Sequence, residues 1–300
     1  MFPLSSDPSS NLAQKIYIVA RPGFEPRAES LSPGLNLPIV SSDQLNDMEE
    51  GLALIVDELG LSVKLLGKNA PGPVRCDFVG GSAQHRRLYG GGKGQDIAKA
   101  VGLNHSSFKP QVLDLTAGLG RDGFVLASLG ASVLMLERHP LVFALLDDGL
   151  VRAREQVLAQ ADYGSHGDSD KGAENKNGLP EILNRINIMN QDASTYLKQL
   201  SLKKLGREFG VLYPDVVYID PMFPAREKSG KVKKEMQLFH QLVGEDEDSS
   251  ILLSLALEVA QYRVVVKRSA HAPFLAEQKP GYSLKGKSTR FDIYPIKKLP

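Results

Sequence analysis

From residue 111 to the end of the chain, short apolar runs alternate with longer stretches whose apolar positions fall at helical spacing. Gln111 to Leu115 is the first such run, and it carries an acid, Asp114. Gly120 to Leu129 reads as a helix, and Ser132 to Leu136 as a second strand closed by Glu137. A long helix is predicted from Pro140, a residue tolerated in a first helical turn, with Leu141, Leu145, Leu146 and Leu150 on one face. Strands follow at Ile186 to Met189, Val216 to Ile219 and Arg263 to Val266. Helices are expected between them at Ala193 to Leu202 and Ile251 to Gln261, and Tyr282 to Leu284 with Arg290 to Tyr294 suggests a closing hairpin. Such alternation predicts an α/β fold with a mainly parallel sheet covered on both faces.

The chain before residue 85 reads differently. Its first forty residues are rich in Ser, Pro and Gly, and only Lys15 to Ala20 looks like a strand, with loose structure around it. Leu52 to Val56, Leu61 to Leu66 and Val74 to Val79 are short apolar runs. This predicts a small α+β region over residues 1–85 and a larger domain over 86–300. Residues 163–180 are polar and glycine-rich and read as an exposed insertion.

Composition narrows the setting. A net charge of +1 makes any nucleic-acid surface a local feature. With one cysteine, Cys76, the chain forms no internal disulfide and no cysteine zinc cluster, and the six histidines lack metal-ligand spacing. These features suggest a cytoplasmic protein without a metal. No secretory signal is evident, and no apolar run is long enough to span a membrane. A Gly-x-Ser-x-Gly elbow and a P-loop are also absent, since the GGGKGQ segment lacks the Lys-Ser or Lys-Thr ending; it reads as a backbone turn.

Two motifs carry chemistry. In the first, VLDLTAGLGRDG, a strand enters a glycine turn and then a helix. Gly118, Gly120 and Gly123 match the dinucleotide spacing, which alone is a weak signal. Asp114 would repel a pyrophosphate but attract the ammonium and sulfonium of S-adenosyl-L-methionine, and Asp122 puts another acid where a phosphate would otherwise sit. Glu137 can accept both hydroxyls of a ribose, Arg138 can contact adenine, and Asp192 is placed for the adenine amino group. The second motif is Asp220-Pro221-Met222-Phe223-Pro224, at the end of a buried strand. Proline fixes the backbone there, so Asp220 and a carbonyl near Pro221 can hold the two hydrogens of an exocyclic amine. Phe223 can stack on the base, a contact worth about 1–3 kcal/mol.

Together these blocks, with DFVGGSAQHRRLYGGGKGQDIAKAVG, VKKEM, RVVVKR and RFDIYP, resemble the bacterial RsmJ family over most of residues 77–295. The resemblance implies a class I, Rossmann-like methyltransferase sheet of seven strands behind a small N-terminal domain. It implies methylation of N2 of a specific guanosine in 16S rRNA, with the RNA or the small ribosomal subunit as partner. It also implies that Arg121, Asp122, Glu137, Arg138, Asp192, Ala193 and Asp220 line the cofactor site.

Basic residues are candidates for RNA phosphates. Arg226, Lys228, Lys231, Lys233 and Lys234 follow the Asp-Pro turn, Lys267 and Arg268 end the next strand, and Lys285, Lys287 and Arg290 lie in the hairpin. His85-Arg86-Arg87 forms a separate group. Other readings are methylation of a DNA base or protein glutamine, a non-catalytic RNA-binding module, and a nicotinamide oxidoreductase, the last supported only by the glycine spacing.

Overall fold

Residues 15–68, 70–80, 92–105, 107–163, 178–205, 213–221, 242 and 249–300 are described in a computed structural model. They fall into two compact units, the second beginning at Cys76.

In the first unit, β1 (Ile16–Ala20), β2 (Leu52–Asp57) and β3 (Gly60–Leu65) form one sheet, parallel between β1 and β2 and antiparallel between β2 and β3. Ile18, Leu52, Leu54, Val56 and Val63 are buried in it. The segment expected to be loose instead holds α1 (Glu25–Leu35), with a proline in its first turn, and α2 (Ser42–Asn46), which a capping box at Ser41 and Gln44 starts. Pro33 and Gly34 inside α1 obscure its pattern, and only Ala28 of this helix is buried. The run Val74 to Val79 is not one strand. Val74 bridges to Val63 in the first unit, whereas the buried Cys76 packs within the second, its thiol donating to the Leu119 carbonyl at 3.3 Å.

The second unit carries α3 (Asp96–Val101), β4 (Gln111–Asp114), α4 (Arg121–Ser128), β5 (Ser132–Glu137), α5 (Pro140–Tyr163), α6 (Leu179–Asn184), β6 (Ile186–Asn190), α7 (Ala193–Leu205), β7 (Val216–Ile219), α8 (Ser249–Val259), β8 (Arg263–Ser269), β9 (Tyr282–Lys285) and β10 (Thr289–Pro295). Its seven strands lie in the order β6-β5-β4-β7-β8-β10-β9. The first five of that order are parallel, while β10 runs antiparallel to β8 and β9. The expected parallel sheet and closing hairpin are both present. Leu113, Leu136, Val217, Ile219, Val264 and Val266 pack with Leu197, Leu200, Leu253 and Ala256 of α7 and α8 in one apolar cluster. Gly123 lets α4 lie directly on β5, because a Cβ there would collide with Met135 Sδ. The expected insertion overlaps α6 at its end, and residues 164–177 lie outside the described residues.

The order in which strands are added reverses between β4 and β7, which are themselves parallel: the later strands β5 and β6 lie on one side of β4, and β7 and β8 on the other. Ligands of open α/β sheets bind at such a switch point, outside the carboxyl ends of the strands.

Candidate active site

The glycine turn leaves β4 at this switch point. Asp114 is 2% exposed, and its Oδ1 accepts the Thr116 N–H at 3.1 Å. Burial pushes its carboxyl up to about 8, against the lowering effect of the Thr116 hydrogen bond. Gly118 has φ +54 and nothing within 4 Å of the place a Cβ would occupy. Gly120, with φ +70, differs: its Cβ would press on Leu146, Phe78 and Met135. Gly120 therefore serves the left-handed cap of α4 and its packing, whereas Gly118 keeps open the space above the loop.

Glu137 ends β5 with both carboxylate oxygens aimed by the backbone. Oε2 accepts the Gly118 N–H at 2.9 Å and Oε1 the His139 N–H at 2.8 Å. Arg138 beside it is exposed, as is Arg121 at the start of α4. Asp192 is the cap of α7, its Oδ1 accepting from Ser194 Oγ at 2.7 Å and the Thr195 N–H at 2.8 Å. Burial alone would raise its carboxyl, but these hydrogen bonds outweigh it and hold it below the usual range. Ala193 is buried as the first residue of that helix.

At the end of β7 the backbone N–H of Asp220 donates to Thr116 Oγ1 at 2.7 Å. This single bond ties the Asp-Pro turn to the glycine turn. Lys267 Nζ then bridges two acids, at 2.8 Å from Asp220 Oδ2 and 2.6 Å from Asp122 Oδ2. The buried Tyr218 hydroxyl donates to the same Asp122 oxygen at 2.7 Å. Burial would lower the Lys267 ammonium, but Asp220 and Asp122 outweigh it and hold it above its ordinary value. Burial raises the Asp220 carboxyl, and Lys267 pulls it back. With 38% of the Asp220 side chain still open, water moderates that rise. Pro221 is buried against the turn.

The expected site residues thus separate. Asp114, Gly118, Asp122, Glu137 and Asp220 all lie at or just beyond the carboxyl ends of β4, β5 and β7. Phe223, Arg226, Lys228, Lys233 and Lys234 lie outside the described residues, as does His85-Arg86-Arg87. Three of the basic residues expected to meet RNA do not present their charge as binding to a phosphate needs. The Lys267 ammonium is engaged by two carboxylates. Arg268 is 3% exposed and donates to the Pro273 carbonyl at 2.6 and 3.0 Å. Arg290 is also buried, in a two-point ion pair with Asp292 at 2.8 and 2.9 Å. Sequence reasoning missed Thr116, Tyr218 and the true partners of Lys267. A signal for the last was present: β7 and β8 run side by side with Ile219 opposite Val266, so the next position on each strand sets Asp220 beside Lys267.

This arrangement fits S-adenosylmethionine. Unfilled space over Gly118, a buried acid below it and a backbone-aimed carboxylate beside it match a cationic amino-acid end and a ribose. A family model described as "Putative SAM-dependent methyltransferase" matches residues 40–163 and 169–296. The chain is 48% identical over 288 residues to ribosomal RNA small subunit methyltransferase J of Cellvibrio japonicus, covering 95% of this chain and 98% of that protein. It belongs to the ribosomal RNA small subunit methyltransferase J family. The relative of the same name from Pseudomonas paraeruginosa is 49% identical over 88% of each chain. A crystal structure of a SAM-dependent methyltransferase from Neisseria gonorrhoeae is similar at a TM-score of 0.64 and 36% identity, covering 93% of this chain and 95% of that one. Membership of a SAM-dependent family sets aside the nicotinamide reading.

Proposed function

We propose that this chain methylates the exocyclic N2 amine of a guanine in 16S ribosomal RNA, with S-adenosylmethionine as donor. The names of its relatives supply the RNA, and the amine is what the Asp-Pro turn suits chemically. One observation carries the reading: the 2.7 Å bond from the Asp220 N–H to Thr116 Oγ1, which fastens an amine-holding turn to a donor-holding loop. Bound S-adenosylmethionine supplies an electrophilic methyl group on its sulfonium.

The chain's own residues do the positioning. Asp114 and Glu137 hold the cationic and ribose ends of the donor, with Gly118, Gly120, Arg121, Asp122, Arg138, Asp192 and Ala193 around them. A guanine amine is a poor nucleophile because its lone pair is delocalised, so orientation supplies most of the rate. Asp220 Oδ2 is committed to Lys267, and Oδ1 has no partner among the described residues, which leaves an acceptor for one amine hydrogen. A carbonyl near Pro221 takes the other, and Phe223 stacks on the base. As the amine is methylated it gives up one N–H proton toward Asp220, whose raised carboxyl suits it to receive that proton. Arg226, Lys228, Lys233 and Lys234 bind RNA phosphates. Lys267 is a positioning residue for Asp220 and not a phosphate ligand.

The test is transfer of labelled methyl to small-subunit rRNA lacking the modification, followed by nucleoside analysis. Label in N2-methylguanosine is expected, and Asp220→Ala should reduce it by about 10²–10³-fold with donor binding retained. Label found only in DNA or protein, or in another nucleoside, overturns the reading.

A further inference from the structure

An open pocket lies at the opposite end of β8 from Lys267. It measures about 320 Å³, and its lining includes His105, Arg263, Lys297 and Lys298. Arg263 opens β8 and is 8% exposed. Its Nη1 donates to the Ala100 carbonyl at 3.0 Å and to the Tyr282 hydroxyl at 3.1 Å. Its Nε has no hydrogen-bond partner among the described residues. Among those residues no carboxylate pairs with this guanidinium. A buried cation without a counter-ion is costly, and the chain adds positive charge here instead of relieving it.

The lysines are held in place. The Ile296 and Lys297 N–H groups donate to the Tyr262 carbonyl at 2.8 and 3.0 Å, and the Lys297 ammonium stands 5.6 Å from the centre of the Tyr262 ring. Leu299 is buried against Gly102, where any Cβ would collide with it. Pinned on both sides of Lys298, this backbone segment keeps both lysines in the lining of a pocket that the buried Arg263 also lines.

We infer that this cavity binds a phosphate group. Three cationic side chains with no acid in the lining suit a tetrahedral, multiply charged anion better than a single carboxylate. The phosphate belongs either to an RNA backbone or to a free phosphate, and the two share this chemistry.

The experiment titrates inorganic phosphate into the full-length protein, following the arginine Nε–H resonances, against sodium chloride at matched ionic strength. The comparison variant is Lys297→Ala with Lys298→Ala, two exposed positions, with its melting temperature in chloride checking that it folds. The wild type should respond saturably, and the variant should bind about tenfold or more weakly for each charge-assisted bond removed. RNA binding against salt then separates the sources. For an RNA phosphate, the slope of log K against log salt becomes shallower in the variant by about 0.7 for each phosphate no longer neutralised. An unchanged slope with a retained phosphate response assigns a free phosphate. The inference is overturned if phosphate acts no differently from chloride and the slope is unchanged, or if wild type and variant respond alike to both phosphate and RNA. The phosphate arm does not depend on the methyltransferase reading, so the two can fail separately.

Discussion

On the proposed reading, the protonation state of Asp114 governs how the donor's cationic end is received. In the fold its carboxyl sits at about 8, above the unfolded value of 3.8. Between those values the native protein holds a proton that the unfolded chain has released. Stability without donor therefore falls as pH rises from about 4 to about 8 and levels off above that. Binding a cation favours the ionised form, so S-adenosylmethionine affinity should rise from pH 6 to pH 8, approaching a limit of about tenfold per unit. Calorimetry across that range checks this, and Asp114→Asn should both weaken binding and flatten the profile. Lys267 makes a second residue-scale case. Lys267→Met leaves Asp122 and Asp220 near each other without their shared cation. The acid limb of the rate profile should move up by about 1–3 pH units, because an opposite charge at this range lowers a carboxyl by that much. An unchanged limb would remove Lys267 from its positioning role. Asp114, Glu137 and Asp220 were legible in the sequence because each is an acid within or closing an apolar run. Thr116 and Tyr218 were not, because nothing local distinguishes a loop threonine or a strand tyrosine until two strands are set side by side.

At the scale of elements, the strands were easier to read than the short helices. Apolar runs bounded by acids or glycine mark β4, β5 and β7 directly. By contrast, α3 and α6 are too short to show a helical period, and α1 carries a proline and a glycine near its end. Strand β8 was read as ending at Val266 because Lys267 and Arg268 break the apolar run. It continues because carboxylates and a carbonyl satisfy those charges inside the fold. The glycine turn gives a contrasting pair of variants. Gly123→Ala drives α4 against Met135 and should cost about 1–3 kcal/mol, seen as a lower melting temperature. Gly118→Ala meets no neighbour, and its positive φ costs only about 1–2 kcal/mol. Its main effect should be weaker donor binding, because the new methyl group enters the donor's space. Loss of affinity in both variants with equal loss of stability would deny this division of roles.

For the whole molecule, alternation of strand and helix was enough to predict the sheet, but not its strand order or the point where the order of strand addition reverses. The compact units part between Arg75 and Cys76 for a physical reason. The run Val74 to Val79 looks continuous, yet Val74 completes one sheet while Cys76 is held by Leu119 of the other unit. Charge shows a similar limit of scale. With a net charge of +1, RNA affinity must come from a few local lysines and arginines, and a sequence does not say which of them fold inward. Lys233→Ala with Lys234→Ala should therefore weaken RNA binding at all sequences and reduce the salt slope by about 0.7 for each phosphate left without its lysine, with donor affinity unchanged.

Cys76 is the sole cysteine, buried, and burial pushes its thiol far from the reactive thiolate. The folded enzyme should thus be silent toward maleimides without any background mutation, which thiol titration before and after denaturation checks. One engineered surface cysteine would accept a fluorophore or spin label alone, which opens distance measurements during RNA engagement. Alkylation of Cys76 itself then becomes a clock for unfolding, ticking only when the loop after β4, whose Leu119 carbonyl accepts from the thiol, moves away.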